Sequence, residues 1–134
     1  MNRKIARENA FILLFEGVSK NDETAEEIFE KATSYRKLEC DEYVKTVFFG
    51  VYANERVIDE CITQCLVGWK KERVSVSTKA ILRLAVYEMM FMEDIPVKVS
   101  INEAVELSKK YDDEKAYGFV NGVLNAAAEA LGKK

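Results

Sequence analysis

Histidine does not occur in this chain of 134 residues. Its absence removes the commonest general base, the commonest metal ligand and every Ser-His or Cys-His nucleophile pairing. Proline occurs once and glycine six times, too few for the many turns of a β-sandwich. The only cysteines, Cys40, Cys61 and Cys65, are odd in number, which fits free thiols in a reducing compartment better than a disulfide framework. Cys61 and Cys65 lie four apart on one helix face, but no CxxC or carboxylate cluster completes a set of four metal ligands. They read as small buried hydrophobes. There is no Gly-rich phosphate loop, GxSxG or HExxH. The most apolar stretch is too short and too charged to cross a bilayer, which takes about 20 apolar residues. Met1 to Glu8 leads into a charged helix and lacks the pattern of a signal peptide. Charge of one sign is also missing in bulk: the net value is −3 and the pI is near 5.2, which excludes coating nucleic acid by overall charge but leaves room for a local basic patch. The expectation is a cytoplasmic protein that is not an enzyme, with no cofactor, no metal and no membrane contact.

What is present is helical. A hydrophobic fraction of 49% and a charged fraction of 32% suit a soluble, helix-rich globule, and this length makes one domain or two small subdomains sharing an interface. Thr78 to Met92 dominates: from Ala80 onward only Arg83, Tyr87 and Glu88 carry polar groups, so the helix has no wide face for solvent and belongs in the middle of the fold. Ser75 or Ser77 can cap it, and Asp94-Ile95-Pro96 ends it. Apolar residues recur at helical spacing from Arg3 to Val18, after a Thr24–Glu27 capping box, from Asp41 to Tyr52, and from Val57 to Leu66 beyond a break at Asn54. Gly68 to Arg73 reads as a connector. Val74 to Ser77 and Val97 to Ser100 alternate like strands but lack partners, and read as extended approaches to helices. A second capping box, Ser100 with Glu103, starts the next helix, and Asp112-Asp113-Glu114 caps the last, Lys115 to Leu131, which ends at Gly132. Gly118 and Gly122, four apart inside that helix, are expected to let another helix backbone approach closely. Asn102 and Asn121 are expected to bond backbone at helix starts or between helices. The fold class is all-α, with about seven helices.

Four runs in order carry a resemblance: Ile81-Leu82-Arg83-Leu84-Ala85-Val86-Tyr87-Glu88; Asp94-Ile95-Pro96; Ile101 to Lys109, reading INEAVELSK; and Phe119-Val120-Asn121-Gly122-Val123-Leu124. Ala6-Arg7-Glu8 and Trp69 fit as well. Together they resemble the NusB family of bacterial transcription antitermination factors, nearly end to end. The resemblance implies a single helical domain over residues 1–134, with an N-terminal subdomain of about 1–70 and a C-terminal one of about 71–134. It implies a non-enzymatic role. Such a protein binds the single-stranded boxA element of nascent RNA, chiefly in ribosomal RNA operons, together with NusE, a small-subunit ribosomal protein. It acts in the elongating RNA polymerase complex with other Nus factors. Where many members carry an Asp-Ser pair before the last helix, this chain has Lys115 and Ala116, and its first helix is less arginine-rich.

Single-stranded RNA is gripped by cations on phosphates and by flat side chains on bases. Arg3, Lys4 and Arg7, Lys109, Lys110 and Tyr111, and Lys115 and Phe119 supply both kinds of group. The family's RNA surface joins the first helix to the loop before the last, which points to Arg3, Lys4, Arg7, Tyr111, Lys115 and Phe119. By spacing alone the same residues read as a solvated charged face with core aromatics. A second basic region holds Lys70, Lys71, Arg73, Lys79 and Arg83 around Glu72, although Arg83 and Glu88 could instead neutralise charges within the fold. For the NusE contact the resemblance points to Thr78 and Lys79. The rival reading is a helical protein–protein interaction module without RNA binding.

Overall fold

Helix α5, Val76–Phe91, lies in the middle of the described helices. Ala80, Ile81, Leu82, Leu84, Ala85, Val86 and Met89 are all at most 2% exposed and leave no side of the helix to water. Helices α1 (Arg3–Ser19), α3 (Glu42–Ala53), α4 (Glu55–Gln64), α6 (Val97–Tyr111) and α7 (Ala116–Ala130) each lie against it. Emptying one such position, as in Leu82→Ala, leaves a cavity worth about 2–5 kcal/mol. The structure, a computed structural model, describes residues 1–20, 22–66 and 74–133. Among the described residues there is no strand, and one hydrophobic core draws side chains from all seven α-helices.

Local signals start and stop these helices. Asn2 accepts the Ile5 N–H at 2.9 Å to cap α1, Asp41 accepts the Val44 N–H at 3.0 Å to cap α3, and Ser75 accepts the Thr78 N–H at 3.1 Å to cap α5. The Thr24–Glu27 capping box opens α2, Ala25–Glu30, which runs directly into a π-helical turn over Lys31–Tyr35. Asn54 separates α3 from α4, its side-chain amide closing on the Gly50 carbonyl at 2.8 Å. At the end of α7 the Lys133 N–H bonds the Ala128 carbonyl and the Gly132 N–H bonds that of Glu129, with Gly132 at φ +68°. That is a Schellman closure, for which glycine is suited because it has no Cβ.

Several expectations about the helices need correction. Val97 to Ser100 is not an extended approach, and Ser100 is not a cap. Helix α6 starts at Val97, directly after Pro96, and Ser100 lies a turn inside it, 2% exposed, with its hydroxyl given to Glu88. Val97 packs against the core, and that tertiary contact overrides its β preference. Val76 and Ser77, likewise, are already in the first turn of α5. Gly118 and Gly122 do not admit a neighbouring helix: both are exposed, and nothing lies within 4 Å of where a Cβ would stand. Helix α7 turns Val120, Val123, Leu124 and Ala127 inward, so the glycines fall on the opposite side. The close approaches are at Gly50, where a Cβ would run into the Tyr87 ring, and at Gly17, where it would strike the Tyr52 hydroxyl.

Candidate nucleic-acid interface

Helix α1 carries three of the candidate cations, and burial separates them. Arg7 is 5% exposed. Its Nε donates to Glu88 Oε2 at 2.7 Å, and its Nη1 lies 3.8 Å from Glu103 Oε1. Glu88, 1% exposed in the middle of α5, also accepts from the Tyr43 hydroxyl and, at 2.7 Å, from Ser100 Oγ. One buried carboxylate thus gathers donors from α1, α3 and α6, and such partners are what let a carboxylate stay charged away from water. Burial opposes the Arg7 charge, but Glu88, Tyr43 and Glu103 together more than offset it, and the guanidinium holds its proton more firmly than an exposed arginine does. Burial, and then Glu88 beside it, push the Tyr43 hydroxyl well above the ordinary tyrosine range. In this structure Arg7 is a structural cation, turned away from any ligand on the surface.

Arg3 and Lys4 face outward. The Arg3 guanidinium sits 4.5 Å from the Tyr43 ring centre, and Lys4 Nζ is 3.9 Å from Glu103 Oε1 with its side chain 73% exposed. At the other end of the same face Lys110 Nζ bonds Glu8 Oε2 at 2.6 Å, which holds its ammonium above the usual lysine value. The Tyr111 ring packs 4.7 Å from that of Phe11 while keeping an exposed edge. These contacts tie the end of α6 to α1. Lys109 Nζ lies 5.1 Å over the Tyr117 ring, tying α6 to the first turn of α7. Lys115, the N-cap residue of α7, is exposed, and its backbone N–H bonds Asp113 Oδ1 at 3.0 Å. Among the described residues no carboxylate pairs with its ammonium. Phe119 is half-buried against the core. The fold therefore leaves Arg3 and Lys4 exposed on α1, Tyr111 partly exposed at the end of α6 and Lys115 exposed at the start of α7, half-buries Phe119, and keeps Arg7 inside.

Tyr117 is absent from the sequence-based site and belongs to this face. It is 43% exposed with a cation above it. The only signal that could have found it is its place two residues after Lys115, at the start of the last helix. Its pairing with Lys109 comes from the packing of α6 on α7.

The other candidates have different fates. Thr78 is 3% exposed, and its hydroxyl goes to Asp112 Oδ2 at 2.5 Å, so it cannot offer a free side chain to a protein partner. Lys79 is half-buried beside Asp59, Ile62, Leu66 and Leu82. Arg83 clamps α5 to α4 through Asp59, at 2.9 and 2.7 Å, and reaches Glu55 at 3.1 Å. The connector Gly68 to Arg73, with Trp69 and the basic Lys70, Lys71 and Arg73, lies outside the described residues. Asn102 and Asn121 are exposed on their helices, and among the described residues neither side chain bonds a backbone group, contrary to expectation. Among the described residues no group of three Cys, Asp or Glu side chains is placed to hold a metal ion, and no helix is long and apolar enough to cross a membrane.

Chemically, the face can neutralise phosphates and stack bases. Lys4 and Lys110 are paired with partly exposed carboxylates, and surface pairs are worth only about 0–1 kcal/mol, so a phosphate can take a cation over at little loss. A family model described as the NusB family matches residues 4–129. The transcription antitermination protein NusB of Clostridium botulinum (strain Alaska E43 / Type E3) is 44% identical over 129 residues, covering 93% of this chain and 96% of that protein. Among solved structures, T. maritima NusB superposes with a TM-score of 0.84 at 34% identity, covering 96% of this chain and 92% of that one. A chain of the crystal structure of antitermination factors NusB and NusE in complex with dsRNA gives a TM-score of 0.83 at 30% identity, covering 96% of each.

Proposed function

The chain belongs to the NusB family, and on that premise we propose that it is a cytoplasmic, non-enzymatic antitermination factor that binds the boxA element of nascent ribosomal RNA transcripts together with NusE. It then acts within the elongating RNA polymerase complex alongside other Nus factors. What supports the reading is that Arg3 and Lys4 on α1 and Lys115 at the start of α7 are exposed cations, and that the rings of Tyr111 and Tyr117, on either side of the α6–α7 connection, keep exposed surface. Exposed cations together with exposed rings suit a single strand better than a duplex, whose bases are already stacked. A structural relative of this chain has been crystallised in a complex of NusB, NusE and dsRNA, which supports NusE and RNA as partners. The reading spans two subdomains of about 1–70 and 71–134, with the RNA surface crossing between them through α1 and α6.

The test is a titration of boxA RNA over a range of salt, with and without NusE. Each phosphate neutralised on a single strand contributes roughly −0.7 to the slope of log affinity against log salt. Binding with a slope of about −2 or steeper supports the reading. A parent protein that binds NusE but no RNA would instead be a protein-only interaction module.

A further inference from the structure

The residue that follows α6 makes a contact that neither the core nor the cationic face requires. Asp112 caps the C-terminus of α6, its N–H bonding the Ser108 carbonyl at 2.8 Å. Its carboxylate reaches across to the start of α5 and is met there by three hydroxyls. Thr78 Oγ1 donates to Oδ2 at 2.5 Å, Ser77 donates to Oδ1, and Ser75 Oγ lies 3.1 Å from Oδ1. Ser75 already caps the α5 backbone at the Thr78 N–H, so that need is met without Asp112. The carboxylate sits at the N-terminal end of a 16-residue helix, where backbone N–H groups point outward. Asp112 also stands beside the RNA-facing groups: Tyr111 precedes it, and Lys115 and the first turn of α7 follow.

We propose that Asp112, held by Ser75, Ser77 and Thr78, is a positioning residue that fixes the short α6–α7 connection, and with it Tyr111, Lys115 and Tyr117, in the geometry that takes RNA. The inference rests on the RNA-binding reading above. Tyr111 is held to α1 through Phe11, and Lys110 through Glu8; Asp112 supplies the third anchor, to α5, and completes the fixing of the connection. Hydrogen bonds to a charged carboxylate are about twice as strong as neutral ones, which suits a tether at a partly exposed site. The serine and threonine hydroxyls thereby support the RNA surface from the far side of the loop.

The sign of one substitution separates this from a simple charge effect. Asp112→Ala removes a negative charge beside the phosphate path, so electrostatics alone predicts tighter RNA binding. Loss of the tether predicts the opposite: binding of boxA RNA, with NusE present, about tenfold weaker, which is ~1.4 kcal/mol, at an unchanged salt slope because no phosphate contact is removed. Asp112→Asn loses the same charge but keeps an oxygen for Ser75 and Ser77 and an amide that Thr78 Oγ1 can accept, and it binds within about twofold of the parent. Ser77→Ala, a milder cut that leaves the carboxylate in place, weakens binding in the same direction by about threefold. Hydrogen exchange of the amides of 112–116, measured without RNA, rises in Asp112→Ala and stays near the parent rate in Asp112→Asn. Asp112→Ala binding as tightly as the parent or tighter, or the Ala and Asn variants behaving alike, overturns the inference while leaving the RNA-binding reading intact. A parent that binds no RNA with NusE overturns both.

Discussion

Arg7 and Glu8 are neighbours on α1 and make the same kind of bond in opposite surroundings. Arg7 turns inward to Glu88, where the two side chains are 6% and 1% exposed. Glu8 turns outward to Lys110, where they are 29% and 60% exposed. The distances are nearly equal, 2.7 against 2.6 Å. With charge and distance matched, desolvation decides the role. Breaking the inner pair strands a carboxylate in the core; breaking the outer pair releases a cation into water. The inner pair holds the fold together and the outer pair keeps a cation available at the surface.

The largest test of this contrast is Arg7→Ala. Removing one partner of a buried pair costs about 3–5 kcal/mol, so the urea midpoint should fall sharply with little change in m. A loss below about 1 kcal/mol, the range of a surface pair, would mean that Arg7 behaves as a surface cation and would break the comparison.

The same network sets a pH limit. Burial and Glu88 raise the folded pKa of Tyr43 above its unfolded value near 10.0. The folded state therefore holds that proton where the unfolded chain releases it. This contribution is complete below about pH 10 and is lost as the pH climbs beyond it. Urea midpoints measured from about pH 8 to 11 should decline in the parent and decline less in Tyr43→Phe.

Next in size are the rings. Tyr117→Ala should remove stacking worth about 1–3 kcal/mol of RNA affinity with the salt slope nearly unchanged. Tyr111→Ala should do the same and lose some thermal stability too, because its ring also packs on Phe11. Parent-like affinity in both variants would place the bases elsewhere.

Smaller still, Lys4→Ala should flatten the salt slope by about 0.7 and leave folding stability within roughly 0.5 kcal/mol. Smallest of all, Glu103→Gln should weaken the hold on Lys4 and tighten RNA binding slightly. If Lys4→Ala instead destabilised the fold as much as Arg7→Ala, the division between inner and outer pairs would fail.

Much of this fold is legible in the residue order, because the signals concerned are local. The near absence of polar groups from Ala80 to Met92 marks α5 as the central helix, and seven of its apolar side chains are at most 2% exposed. Thr24 with Glu27, Asp41 before α3, the break at Asn54 and the stop at Gly132 all act within a few residues of themselves. The site is less legible. Arg3, Lys4 and Arg7 are alike as sequence, one turn of a basic helix, and nothing local says that Arg7 alone points to a carboxylate 81 positions away. Ser100 looks like a cap until Glu88 claims its hydroxyl. Gly118 and Gly122 look like packing glycines until the orientation of α7 turns them to solvent.

Residue order alone dictates that the chain is helical, where most helices begin and end, which helix is central, and which family it resembles. These depend on periodicity, capping and short ordered motifs, interactions that span at most a few turns. Packing decides which charges are buried and which are available, which rings share a face with them, and that Asp112 meets three hydroxyls more than thirty residues away. Desolvation and long-range hydrogen bonding depend on what surrounds a group, and those surroundings exist only once the helices have come together.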